Sequence, residues 1–92
     1  WYDILQNSDS LQAVSSKDGS LTYVIFYEAG SIKTGFETIS ADKSCMVMKH
    51  DNCFYVSDPS RHHEQVEITI NGKKHFVKLN TWQLAGKTVV LE

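Results

Sequence analysis

The chain has 92 residues, 41% of them hydrophobic, with nine Lys and Arg against eleven Asp and Glu for a formal net charge of -2. That length suits one domain with a thin core, and the ordinary apolar content argues against intrinsic disorder. The charge balance argues against a dedicated nucleic-acid binder, and no apolar run approaches the ~18 residues of a membrane helix, so neither nucleic acid nor membrane is an expected partner.

The chain opens on Trp1, with no initiator Met and no signal peptide, which leads us to expect a fragment of a longer protein. The terminal Leu91-Glu92 is compatible with an expression-vector scar. Tyr2–Leu5 is a short strand candidate, closed by the polar break Gln6-Asn7-Ser8-Asp9-Ser10. Leu11–Ser15 follows, with Leu11, Ala13 and Ser15 on one face and Gln12 and Val14 on the other. Asp18-Gly19 signals a hairpin into Leu21–Glu28, the most strand-prone run. That run is apolar on both parities, so it is expected to be the central strand, buried on both faces for part of its length.

Ala29-Gly30-Ser31 ends that strand, and Lys33–Ile39 reads as another, with Gly35 marking a bulge or a close backbone approach. Ser40-Ala41-Asp42-Lys43 is a turn. Cys45–Lys49 and Phe54–Ser57 form a hairpin over Asp51-Asn52, which Asp58-Pro59 terminates because proline offers no ladder donor. Ser60–Glu64 is a polar loop. Gln65–Ile70 alternates, with Val66, Ile68 and Ile70 inward. Asn71-Gly72 is the strongest hairpin turn, since both central positions of a type I′ turn need positive φ. Lys73–Leu79 returns, Asn80–Gly86 connects, and Thr88–Leu91 is the last strand.

About ten short strands without a helix predict an all-β fold, a small antiparallel β-sandwich in two sheets with meander-like connections. Val24, Phe26, Val47, Val56, Val66 and Ile68 are the predicted core. With Asp51-Asn52 as the loop, Cys45 and Cys53 point to opposite faces, so two separate thiols are expected.

Residue chemistry alone assembles no site: the expected catalytic, cofactor-binding and metal-binding residues are none. His62-His63-Glu64 places adjacent histidines on opposite sides of an extended chain, without a third ligand at a useful spacing. Ser57-Asp58 lacks a nucleophile elbow. Lys73, Lys74 and Lys78 lie on a strand whose partner carries Glu67, which weakens any positive stripe. Trp1, Tyr2, Tyr23, Tyr27, Tyr55 and Trp82 are read as mainly core aromatics rather than a sugar-stacking platform.

Five segments taken in order carry a resemblance. They are Tyr2-Asp3-Ile4-Leu5-Gln6-Asn7, Leu11-Gln12-Ala13-Val14, Thr22 to Glu28, Ser40-Ala41-Asp42-Lys43 and Tyr55-Val56-Ser57-Asp58-Pro59-Ser60. Together they resemble the C-terminal β-sandwich of family 8 polysaccharide lyases, the hyaluronate, chondroitin and xanthan lyases. Ser44 stands where that family often has proline, and Ser60 where it often has threonine. Tyr23 in the aromatic strand leans toward the chondroitin ABC-type branch.

The resemblance implies that residues 1–92 form a single C-terminal domain of a larger periplasmic or extracellular enzyme. In such enzymes an α/α toroid and a central β domain precede it. The reaction is β-elimination: a base removes the C5 proton of a uronic acid, the carboxylate is neutralised, and the glycosidic bond breaks to leave an unsaturated sugar. The family's catalytic residues lie in the two upstream domains, and none maps here. The implied role is therefore structural, in a monomer, with the upstream central β domain as partner and polysaccharide bound only by the parent enzyme. A carbohydrate-binding or adhesion module on the same fold is the alternative reading.

Overall fold

The computed structural model describes residues 2–51, 53–58 and 63–79, and the backbone of 86–90. Trp1, Asn52, Pro59, Ser60, Arg61, His62 and Trp82 lie outside the described residues. The strands are β1 (Tyr2–Asn7), β2 (Leu11–Ser16), β3 (Leu21–Phe26), β4 (Gly30–Lys33), β5 (Thr38–Ala41), β6 (Cys45–His50), β7 (Cys53–Ser57), β8 (Gln65–Ile70), β9 (Lys73–Lys78) and β10 (Gly86–Val90). They form a six-stranded sheet, ordered β1-β2-β3-β6-β7-β10, and a four-stranded sheet, ordered β4-β5-β8-β9. Every pairing is antiparallel. The fold is an all-β sandwich. The expected meander holds for β1-β2-β3 and within each hairpin, but between hairpins the chain changes sheet.

Turn chemistry sets the registers. Asn71 and Gly72 have φ of 52° and 84°, the left-handed pair that a type I′ turn requires, and Val66 pairs with Val77 as that turn dictates. The Asn71 side chain also accepts from the Thr38 N–H at 3.0 Å, fixing the hairpin to β5. Asp51 has φ 55°, and Lys49 pairs with Phe54 as a two-residue loop demands. β1 carries a register shift between Ile4 and Gln6, which turns Leu5 against the core.

The six predicted core residues are all buried, joined by Phe54, Ile39, Ile70 and others between the sheets. Burying a side chain such as Phe26 or Phe54 contributes about 1.5–3 kcal/mol. Cys45 faces this core while Cys53 is half-buried on the opposite side of the hairpin, and both are free thiols.

Two sequence expectations need correction. Lys33–Ile39 is not a strand: Thr34–Glu37 is the turn between β4 and β5, closed by the Thr34 N–H to the Glu37 carbonyl at 2.8 Å. The Thr34 hydroxyl accepts from the Phe36 and Glu37 N–H groups at 3.0 and 2.9 Å, a local bond that competes with strand pairing. Gly35 therefore marks neither a bulge nor a close approach; a Cβ there would meet nothing within 4 Å. The Ser40–Lys43 turn begins later than expected, because Ser40 and Ala41 pair with Ser31 and Gly30 in the β5–β4 ladder.

That β4–β5 turn reaches across to the six-stranded sheet. Lys49 Nζ on β6 meets Glu37 Oε2 at 2.8 Å, with side chains only 10% and 3% exposed. The Phe36 ring lies 5.7 Å from the same ammonium, and it covers Gly19, where an added Cβ would come within 2.5 Å of the ring. Gly19 also has φ +77°, a conformation that favours glycine.

Candidate functional site

Two of the segments that carry the sequence resemblance, around Asp42 and Asp58, hold β8 and the residues just before it. Asp42 Oδ1 accepts from the Glu67 N–H at 2.8 Å, and the Asp42 N–H donates to the Glu67 carbonyl at 3.2 Å. Lys43 Nζ donates to the Gln65 carbonyl at 2.8 Å. Asp58 is buried, and its Oδ2 accepts from the His63 N–H at 2.8 Å. Ser44 Oγ sits 3.0 Å from His63 Nε2. Burial pushes the Cys45 thiol up to about 12, helped by the negative charges of Asp42 and Asp58 nearby. A thiol held protonated this firmly is no nucleophile.

Serine, histidine and aspartate do come together here, but not in a hydrolase arrangement. His63 bonds Ser44 rather than Ser57, and Asp58 takes a backbone N–H. In a triad the acid would orient the imidazole itself. These contacts instead fasten the crossover from β7 to β8. Glu64 is exposed, and among the described residues no group of three or more His, Cys, Asp and Glu gathers as for a metal ion.

On β9, Lys74 lies opposite Thr69 and Lys78 opposite Gln65, as the loop length predicts. Lys74 Nζ is 3.7 Å from Glu67 Oε1, so the expected acidic neighbour is in place. Phe76 is exposed between the two lysines. Otherwise the outer side of this sheet is polar, with Ser31, Thr38, Ser40 and Thr69 alongside the charged groups.

The tyrosines depart from expectation. Tyr2, Tyr27 and Tyr55 are exposed and Tyr23 is half-buried, so none is core. Tyr23 and Tyr55 lie on the outer side of the six-stranded sheet, where strand pairing sets Ile4, Val14, Tyr23, Met48 and Tyr55 in one row. Tyr23, Met46, Met48, Tyr55 and Ser57 line a shallow hollow of about 250 Å³. The Tyr23 hydroxyl is 3.8 Å from the Met46 sulfur, and no cation lines the hollow. Sequence reasoning missed Met46 and Met48 as surface groups. The signal was available in the parity of Cys45–Lys49, since residues alternating with buried Val47 must face away from the core.

A sequence model of the C-terminal β-sandwich domain of polysaccharide lyase family 8 matches residues 3–67. The chain belongs to that family. It is similar to chondroitinase AC of Pedobacter heparinus, 32% identical over 97% of this chain and 14% of that protein. It is also similar to a solved chondroitinase AC lyase described from enzyme–oligosaccharide complexes, with TM-score 0.75, 32% identity and coverage of 99% of this chain and 15% of that one. The chain thus spans about a seventh of the length of the relatives it matches. Both are chondroitinase AC, so they lend no support to the lean toward the ABC-type branch. In this lyase-family sandwich, three residues of the resembling segments hold the chain around β8: Asp42 and Lys43 bond β8 itself, and Asp58 bonds His63 just before it.

Proposed function

We propose that this chain is the non-catalytic, structural C-terminal domain of a periplasmic or extracellular polysaccharide lyase. The parent degrades chondroitin sulfate or hyaluronan by β-elimination, and polysaccharide is bound by the parent alone. Residues 1–92 act as a single domain, which works as part of a monomer against the central β domain upstream.

The observation that carries this reading is what the polar groups of the motif-bearing segments do. Asp42, Lys43 and Asp58 each bond backbone groups of the segment leading into and along β8. β-Elimination at a uronic acid needs a base within about 2.6–3.2 Å of the C5 proton and a group that neutralises the carboxylate. His63 is engaged with Ser44 and the Tyr23 hydroxyl with the Met46 sulfur, which supports a structural rather than a catalytic use of both side chains. A net charge of -2 also opposes long-range attraction of a polyanionic sugar.

The test compares the parent lyase with and without a lesion in this domain. Val56→Asp, placed in the centre of the core, should lower the thermal midpoint while leaving kcat/KM per folded molecule within about twofold, since no transition-state contact is lost. A large fall in kcat with the thermal midpoint unchanged would overturn the structural role.

A further inference from the structure

We infer that the outer face of the six-stranded sheet is the surface by which this domain docks onto the rest of its own polypeptide. This rests on the proposal that the chain is one domain of a longer lyase, and it assigns the contact to one side of the sandwich.

The residues pointing outward from β1, β2, β3, β6 and β7 follow from the register. They are Tyr2 and Ile4, Val14 and Ser16, Leu21, Tyr23 and Ile25, Met46 and Met48, and Cys53, Tyr55 and Ser57, with Asn7, Gln12 and His50 at the margins. No Asp, Glu, Lys or Arg occupies any of these positions. An antiparallel sheet with one face in water normally alternates apolar-in with polar-out. Contiguous apolar surface of this kind marks a contact site. Methionine and tyrosine are side chains that the centres of protein contacts favour, and charged groups are those they avoid.

Three further observations fix the occupant. First, the match covers only 14% of the chondroitinase AC relative, so a lyase of that length has most of its mass outside these residues. Second, β1 is an edge strand, and it delivers Tyr2 and Ile4, 68% and 70% exposed, to this same face; in a longer polypeptide the segment preceding Tyr2 issues at its rim. Third, the hollow lined by Tyr23, Met46, Met48, Tyr55 and Ser57 lies at the centre of the face and, at about 250 Å³, accepts large apolar side chains rather than a charged sugar. The complementary surface is accordingly an uncharged, apolar patch on the upstream part of the same chain.

Methionine oxidation and hydroxyl-radical footprinting read this directly, because Met46 and Met48 are the two methionines of the chain and both lie on the face. In the full-length lyase, Met46, Met48 and Tyr55 should be modified at least about fivefold more slowly than in the 92-residue chain, as water is excluded from a contact centre. Phe76, on the other sheet, should be modified equally in both. Met48→Lys in the full-length protein should restore labelling of Met46 and Tyr55, whereas Thr69→Lys on the opposite outer face should not. Protection of Phe76 with Met46 and Met48 open would overturn this face while leaving the docked domain standing. Equal labelling everywhere would overturn the docked domain as well. Protection of the methionines in the 92-residue chain that grows with concentration would make a second copy the occupant and overturn the assignment.

Discussion

Away from the shared core, the four-stranded sheet presents Ser31, Lys33, Thr38, Ser40, Glu67, Thr69, Lys74 and Lys78, with Phe76 the large apolar group among them. The six-stranded sheet presents Ile4, Val14, Leu21, Tyr23, Ile25, Met46, Met48 and Tyr55. Both sheets meet the same core, so the inner faces are alike. The outer faces differ because each strand obeys its own alternation. Gln65–Ile70 alternates cleanly, while Leu21–Phe26 and Cys45–Met48 are apolar on both parities. A strand of the second kind is the pattern of a sheet covered on both sides. The six-stranded sheet is built for cover on its second face, and the four-stranded sheet for water.

The sharpest way to break this comparison uses adjacent residues of one strand. Val56 is buried and Tyr55 is 41% exposed. Val56→Asp should destabilise the chain by about 3 kcal/mol or more, since it puts an unpaired carboxylate in the core. Tyr55→Asp should cost less than about 1 kcal/mol in the 92-residue chain, the ordinary range for a surface change. Denaturant melts of the two variants check the pair, and similar midpoints would erase the distinction between the inner and outer faces.

Next in size is the contact between the sheets. Glu37→Leu leaves the Lys49 ammonium buried without its carboxylate and should cost about 3 kcal/mol. Combining it with Lys49→Met should recover most of that loss, because the charge itself is then removed. A double variant no more stable than the single one would show that the pair does more than neutralise itself. Smaller again is Gly72→Val, which forces a β-branched residue to φ +84° and should cost about 1–2 kcal/mol by thermal melt.

The smallest effects are those of pH and reactivity, and they too separate inside from outside. Cys45, facing the core, ionises only near 12 instead of 9.0. Its folded-state value is raised, so its contribution to stability is complete below pH 9.0 and declines as pH climbs toward 12. Stability should therefore fall across that window in the parent chain and fall less in Cys45→Ala. At pH 8, iodoacetamide should alkylate Cys53, which is half-buried on the outer side, well before Cys45. At the acid end, hydrogen bonds from the Ser20 backbone and hydroxyl and from Ser16 hold Asp18 down at about 2, so the turn keeps its cap until pH falls from 3.8 toward 2. Asp18→Asn should flatten the pH dependence of stability there.

Much of the fold was legible because its turns are chemically explicit. Gly19, Asp51, Asn71 and Gly72 take the positive φ that such turns demand, and the registers of β2–β3, β6–β7 and β8–β9 follow from these turns. The β4–β5 turn was not legible, since Thr34 closes it through a side-chain bond and Glu37 is drawn inward by Lys49, twelve residues away on the other sheet. No local pattern announces such a partner. The tyrosines were assigned to the core because aromatics in a sandwich usually go there; strand parity contradicted that, placing Tyr55 opposite to buried Phe54 and Val56. The expectation that Leu21–Glu28 is buried on both faces is met on one side by Thr22, Val24 and Phe26 and half met on the other by Tyr23 and Ile25.

The central claim is that the chain contributes structure and no chemistry, and a single titration tests it. Chondroitin sulfate oligosaccharides are added to the 92-residue chain at near-physiological ionic strength, with binding followed by calorimetry and unsaturated product by ultraviolet absorbance. The expected result is no absorbance increase and no binding tighter than about 10 μM, roughly 7 kcal/mol. Appearance of unsaturated product would contradict it outright, and tighter saturable binding would make the domain a carbohydrate-binding module instead.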